Sequence, residues 1–89
     1  MILNEEALMR AIELVLDKEG RYDILSSPHQ IESYTIHNDE GINYITFAVK
    51  HQDIEEGWWS YSSGIHYSAY EKELKYLRSK KIDKLLKSL

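Results

Sequence analysis

The sequence predicts an α+β fold: one helix, an antiparallel meander of three or four strands, and a second helix. Two observations support this prediction. Apolar residues recur at helical spacing near both ends of the 89-residue chain. Between the ends, residues 31–37 and 42–51 alternate in polarity and are rich in β-branched and aromatic side chains, as strands are. The length allows one domain, residues 1–89.

The first helix is delimited by its caps. Asn4 is a predicted N-cap and Gly20 a predicted C-terminal stop. Leu3 and Leu8 stand where a hydrophobic staple would place them. More than half of the helical wheel is apolar, so we expect this helix to be mostly buried. It should pack on the sheet face that carries Ile45, Phe47 and Val49.

The strand region begins with "RYDIL", residues 21–25, which is a candidate for a short fourth strand before Pro28. "NDEG", residues 38–41, then joins two longer strands. We predict a three-residue loop with a bulge at Gly41, which places Tyr34, Ile36, Tyr44 and Ala48 on one face and Ile31 with Ile45 on the other. A two-residue or four-residue loop would instead move Tyr34 and Ile36 to the face of Ile45 and Phe47.

The third strand, "GWWSYSSGIHY", contains four of the ten aromatic residues of the chain. Adjacent residues of a strand point to opposite faces, so Trp58 and Trp59 cannot share one core. Three interpretations remain open: cover by the chain's own helices, an interface with another protein, or a pocket that stacks a sugar or nucleobase on an indole. The candidate interface residues are Trp58, Trp59, Tyr61, Tyr67, Tyr34 and Tyr44.

The second helix is predicted to open with a capping box, "SAYE", at Ser68. Its first apolar stripe, Tyr70, Leu74 and Leu77, is rotated by about a quarter turn from the second, Ile82, Leu85, Leu86 and Leu89. The helix must therefore bend near Ser79, or its last ten residues must lean on the first helix or on an acidic partner. Four lysines lie opposite the second stripe and are candidates for contacting such a partner or an anion: Lys80, Lys81, Lys84 and Lys87.

Charge is distributed unevenly along the chain. Residues 1–70 contain four Lys or Arg against twelve Asp or Glu, whereas residues 71–89 contain seven against three. The net charge of −4 therefore combines an acidic body with a basic C-terminal segment. Such asymmetry bears on association with other molecules rather than on fold.

Several classes of chemistry find little support. There is no cysteine, which excludes disulfides and thiolate chemistry. His37 and His51 lie at opposite ends of one strand, too far apart to share a metal, and "SSGIH" lacks a nucleophile elbow. No run is apolar enough for a membrane span, and the N-terminus lacks the positive region of a secretory signal. We therefore predict no catalytic residues, no metal and no cofactor.

The sequence thus favours a non-enzymatic, cytoplasmic protein-interaction module that recognises its partner through an aromatic sheet face and forms a homodimer. An acidic inhibitor, such as an antitoxin or immunity protein steered to a basic target, fits this description. Two alternatives stay open. One is a nucleic-acid-associated regulator that uses the basic C-terminal helix, and the other is a small-ligand sensor with an indole pocket.

Overall fold

A computed structural model describes residues 2–53, 55 and 57–87. The elements are α1 (Glu5–Lys18), α2 (Tyr22–Leu25), β1 (His29–Asp39), β2 (Ile42–Asp53), β3 (Gly57–His66) and α3 (Tyr67–Lys87). The three strands form one antiparallel sheet in the order β1-β2-β3. The predicted helix–strand–strand–strand–helix arrangement is confirmed. None of the described helices is long and apolar enough to cross a bilayer.

The ends of α1 follow the sequence signals. The Asn4 side chain accepts a hydrogen bond of 3.0 Å from the Ala7 amide. After the helix, Gly20 adopts a φ of +75°, which only glycine takes without strain, and the chain reverses there. Leu3 and Leu8 are both buried at the N-terminal end, as the staple requires. This helix is therefore specified almost entirely by local sequence.

The segment "RYDIL" does not form the optional fourth strand. Residues Tyr22–Leu25 make a single helical turn. The Ser26 hydroxyl closes this turn by donating a hydrogen bond of 2.7 Å to the Tyr22 carbonyl. This turn directs Ile24 into the core, where it is fully buried. A strand of this length would have gained few ladder bonds, whereas the turn buries one large apolar side chain.

The prediction of a bulged three-residue hairpin loop is also wrong. Asp39 lies opposite Ile42, so the loop has two residues, Glu40 and Gly41, with φ of +51° and +82°. Two positive φ values in sequence are typical of the type I′ turn, whose twist matches that of the flanking strands. The irregularity lies instead within β1, between Ile31 and Ser33.

This register decides which side chains enter the core. Tyr34 lies opposite Phe47, and Ile36 lies opposite Ile45, so both join the face from which the loop prediction had excluded them. The bulge at Glu32 shifts the alternation, and Ile31 therefore also faces this side, opposite Val49. As a result, both isoleucines of β1, Ile31 and Ile36, point toward the helices.

α1 packs on this face, as predicted. Leu8, Ile12 and Leu16 form a common core with Ile45, Phe47 and Val49, and all six are buried. Full burial of one such side chain contributes about 1.5–3 kcal/mol. α3 packs beside α1 on the same face of the sheet. We call the opposite face, on which no described element packs, the open face.

α3 starts at Tyr67, directly after β3 and one residue before the serine predicted as its cap. Its first half joins the core through Tyr70, Leu74 and Leu77. An ion pair of 3.2 Å between Arg10 and Glu73 and the packing of the Arg10 guanidinium over Tyr76 hold it against α1.

The second half of α3 continues as one helix to Lys87 and is exposed, including Ile82 at 56% and Leu86 at 63%. Neither the sheet nor α1 buries this second stripe, and its predicted member Leu89 lies outside the described residues. The radius of gyration, 15.0 Å, exceeds the roughly 12 Å of a compact chain of this length. The helix thus extends past the body that its first half helps to build.

Two tyrosine hydroxyls meet the N-terminal segment. The Leu3 amide donates to the Tyr34 hydroxyl at 3.1 Å, and the Asn4 amide donates to the Tyr70 hydroxyl at 3.0 Å. These bonds join three elements distant in sequence: the start of α1, β1 and α3. They position the helix layer over the sheet.

Tyr70→Phe should lower the free energy of unfolding by about 1 kcal/mol, because the partly buried hydrogen bond from the Asn4 amide is lost while the ring stays in place. Urea denaturation measures the difference. Tyr22→Phe is the matched control, since this ring is exposed, and it should leave stability within ~0.5 kcal/mol of the wild type. An equal effect of both changes would contradict the role of the Tyr70 hydroxyl.

Candidate functional site

The two tryptophans lie at the start of β3, the edge strand that follows β2. Trp58 is opposite Gln52 and Trp59 is opposite His51. Gly57, with a φ of +90°, brings the chain into the strand. The segment is extended, as predicted, so the two indoles point to opposite sides of the sheet.

Neither indole is buried by its own chain. Trp58 is 54% exposed on the open face, and Trp59 is 49% exposed on the helix face, beyond the part that the helices cover. The Lys50 ammonium lies 5.6 Å from the centroid of Trp58, at the outer limit of a cation–π contact. Large aromatic rings held in this way on a rigid strand offer contact area at low entropic cost.

The other four predicted interface residues are spread over both faces. Tyr34, Tyr61 and Tyr67 are half-buried on the helix side and pack against the core. Tyr44 lies on the open face at the opposite end from Trp58, stacked on His37 with ring centroids 4.6 Å apart. The structure therefore does not bring the six aromatic residues together on one face.

The centre of the open face is polar and shallow. Ser33, Ala48 and Ser62 form one cross-strand row, and Thr46 and Gly64 belong to the next. At the edge of this polar region, the Ser60 hydroxyl donates a hydrogen bond of 2.6 Å to the carboxylate of Glu32, the residue at the bulge of β1.

Carboxylates surround the tryptophan end of the sheet. Asp53 is opposite Gly57, and its side chain accepts a 2.9 Å bond from the Glu55 amide. Both carboxylates border a depression that also contains Asp23. Hydrogen bonds from the Arg21 guanidinium lower the pKa of Asp23, which therefore stays charged. Glu56 lies outside the described residues.

We call this surface, defined by Trp58, Trp59, Asp53 and Glu55, the acidic aromatic end. It combines exposed aromatic area with negative charge. Such a surface fits a partner that presents apolar groups among cations. The four predicted cationic residues of α3 are on a different element, all exposed on the half of the helix that projects from the body.

One polar cluster was missed by the sequence reasoning. Glu19, just after α1, accepts hydrogen bonds from the Tyr61 hydroxyl and, at 3.1 Å, from the Ser63 hydroxyl. The Arg21 guanidinium lies over the Tyr61 ring, 4.3 Å from its centroid. Because Glu19 and Tyr61 are 42 residues apart, no local pattern could have indicated their contact. This cluster attaches β3 to the end of α1.

The histidines do not converge. His29 pairs opposite His51 and bonds to Glu13 at 3.3 Å, while His37 bonds to Thr46 at 2.8 Å. Within the described part of the chain, no group of three or more His, Asp or Glu could hold a metal ion. Neither Trp58 nor Trp59 lines any of three depressions on the described surface. None of these depressions is therefore the pocket that would stack a ligand on an indole.

Comparison with protein-family models, curated proteins and solved structures gave no match. The interpretation of the site therefore depends on its own geometry.

Tyr61 should ionise later than an ordinary tyrosine. The hydrogen bond to Glu19 raises the pKa of Tyr61 above its usual 10.0, and burial adds to the shift. Because the folded chain favours the neutral phenol, the stability from this bond is complete below pH 10.0 and is lost as pH rises through the raised pKa. Ring-labelled NMR titration measures the shift, with Tyr61→Phe to assign the signal.

Glu19→Gln removes the carboxylate and should lower the pKa of Tyr61 toward its usual value. Glu40→Gln, in the exposed hairpin turn, is the control and should leave that pKa unchanged. A Tyr61 signal that titrates identically in wild type and Glu19→Gln would contradict the assigned contact.

Proposed function

We propose that this chain is a non-enzymatic protein-interaction module and that the acidic aromatic end is its recognition surface. One observation carries the proposal: two neighbouring indoles, each about half-exposed, project on opposite sides of one strand beside acidic side chains. Monomeric domains cover large aromatic rings where they can, since each ring buries about 150–250 Å². Rings left exposed on a rigid element are typical anchors of a protein interface.

The charge of this surface supports a cationic partner. Asp23, Asp53 and Glu55 border the tryptophan end, and residues 1–70 as a whole carry a net charge of −8. Negative potential speeds encounter with a basic protein and weakens as salt increases. An inhibitor that covers a basic functional surface, such as an antitoxin or immunity protein, is the class of function that we propose for this combination.

We further propose that the protein acts as a homodimer in the cytoplasm. A chain of 89 residues buries about 60–65% of its unfolded surface, and a second subunit would cover rings that this chain leaves exposed. The chain contains no cysteine and depends on no disulfide, which fits a reducing compartment.

A second candidate function is nucleic-acid association. The observation that favours it is the exposure of Lys80, Lys81, Lys84 and Lys87 on the projecting half of α3. Phosphate neutralisation by such lysines makes binding strongly dependent on salt. The proposal is weaker than the first because the exposed indoles are on β3, a different element from these lysines, so stacking and phosphate contacts are not on one surface.

Trp58→Ala and Trp59→Ala should each reduce partner binding by roughly 30-fold or more, the loss typical of truncating an interface hot spot. The chain, tagged and expressed in its native host, identifies the partner by co-purification, and calorimetry with the purified partner measures the loss. Binding should also weaken as salt is raised. Ile42→Ala is the matched control, because Ile42 is 57% exposed at the other end of β2.

Circular dichroism and thermal melting of the same variants separate recognition from folding. Since both rings are half-exposed near a strand end, each variant should retain the native fold. A partner that binds both tryptophan variants as tightly as the wild type, or that is lost equally in Ile42→Ala, would rule out this surface. Unfolding of both tryptophan variants would do the same.

The nucleic-acid candidate predicts salt-sensitive binding of labelled DNA or RNA in fluorescence anisotropy, which should be lost when the four lysines are replaced by glutamine. The double variant Lys18→Gln with Lys50→Gln is the control. It should keep the binding, because these two lysines lie outside the projecting half of α3. Absence of binding by the wild type at low salt would exclude this candidate.

A further inference from the structure

β3 is an open edge of the sheet. It has β2 on one side, and no described strand on the other. Its ten residues, Gly57–His66, contain no charged side chain, no proline and no bulge. Among the hydrogen bonds outside the helices and the sheet ladder, none in the described part of the chain uses a backbone group of β3. Its outward amides and carbonyls are therefore available to a further strand.

β1, the other edge, is protected. Pro28 immediately precedes it, Glu32 occupies a bulge within it, and Asp39 ends it. Proline, charge and bulges are the features by which natural sheets prevent pairing at an edge. The contrast indicates that the bare edge of β3 has a use. It also means that pairing at β3 would stop at two chains, since the remaining outer edges would both be protected.

We propose that a second copy of this chain pairs antiparallel with β3, so that two three-stranded sheets join into one six-stranded sheet. The inference rests on the proposed homodimer and names the strand through which the two copies meet. A two-fold axis perpendicular to the sheet relates the copies, and the contact is isologous. Both helix layers then lie on one side, and the two open faces form one surface. With no charge on the strand, no like charges meet in the ladder.

The symmetry restricts the register. Residues that lie opposite each other in the two copies must have their side chains on the same face of the sheet. The residue at the centre of the pairing must therefore lie opposite the same residue of the second copy, next to the two-fold axis. Placing Ser62 on the axis sets Trp58 opposite His66 of the second copy and Trp59 opposite Ile65 of the second copy. The alternative, with Tyr61 on the axis, would set Trp59 opposite a serine.

The register with Ser62 on the axis is favoured by the groove beside β3. Ile65 and His66 border this groove, Val15 and Ala69 contribute apolar lining, and charged side chains lie at its margin: Lys18, Glu19 and Lys72. Each half-exposed Trp59 is then placed next to the apolar part of this groove in the other copy. A ladder over nine residues supplies about ten direct hydrogen bonds, the number found in a typical protein interface.

A charge at the axis tests the pairing. Ser62→Lys places two lysines directly opposite each other and should raise the dimer dissociation constant at least about tenfold. Ser33→Lys, at an exposed position on β1, is the matched control and should leave the dimer intact. Analytical ultracentrifugation over a range of concentrations measures both, and circular dichroism verifies that each variant is folded.

A single introduced cysteine tests the register, because the chain has none of its own. Ser62→Cys should form a disulfide-linked dimer under mild oxidation, whereas Ser60→Cys and Ser33→Cys, exposed like Ser62, should stay monomeric on a non-reducing gel. Efficient cross-linking of Ser60→Cys instead would overturn the register.

The two proposals fail separately. A wild-type chain that sediments as a monomer at micromolar concentration, or a dimer that Ser62→Lys leaves unchanged, overturns the pairing at β3. Neither result touches recognition of another protein at the acidic aromatic end, which the loss of a co-purified partner in the tryptophan variants measures. A dimer that Ser62→Lys dissociates, with the co-purified partner still bound by the tryptophan variants, would support the pairing and reject that recognition surface.

Discussion

The structure depends on one constraint: a strand alternates its side chains between two faces, and here both long helices cover the same face. Every apolar side chain on the helix side of β2 can be buried, and Ile45, Phe47 and Val49 are. A strand with large rings at consecutive positions cannot satisfy this arrangement, because one ring must always face away from the helices. Trp58 and Trp59 are such a pair, so the exposure of Trp58 on the open face follows directly from the layering.

The helix layer is joined to the sheet by a few long-range contacts and leaves the start of β3 uncovered. The hydroxyls of Tyr34 and Tyr70 hold the start of α1, and the Arg10–Glu73 pair joins α1 to α3. Glu19 then attaches the end of α1 to the middle of β3. Nothing comparable in the described residues reaches Trp59, which lies beyond the helix cover. The second half of α3 extends past these contacts, and its side chains are exposed.

The two edges of the sheet differ in a way that packing does not explain. β1 has a bulge, acidic side chains and a neighbouring proline, whereas β3 is regular and uncharged. Hydrogen bonding within the chain is satisfied equally well by either kind of edge. The difference matters only when a second chain approaches, since charge and bulges act against intermolecular pairing. The features of β3 therefore bear on association rather than on folding.

The sequence by itself determined the features that depend on neighbours within a turn or a strand: α1 with Asn4 and Gly20 at its ends, the alternation of the long strands, and the opposed directions of the two indoles. Tertiary structure decided the rest. The hairpin register was ambiguous because both parities of β1 carry apolar residues, and only burial of Tyr34 and Ile36 against the helices selects one. "RYDIL" became a helical turn because Ile24 could reach the core that way, and Glu19 met Tyr61 across 42 residues, a distance over which local propensity carries no information.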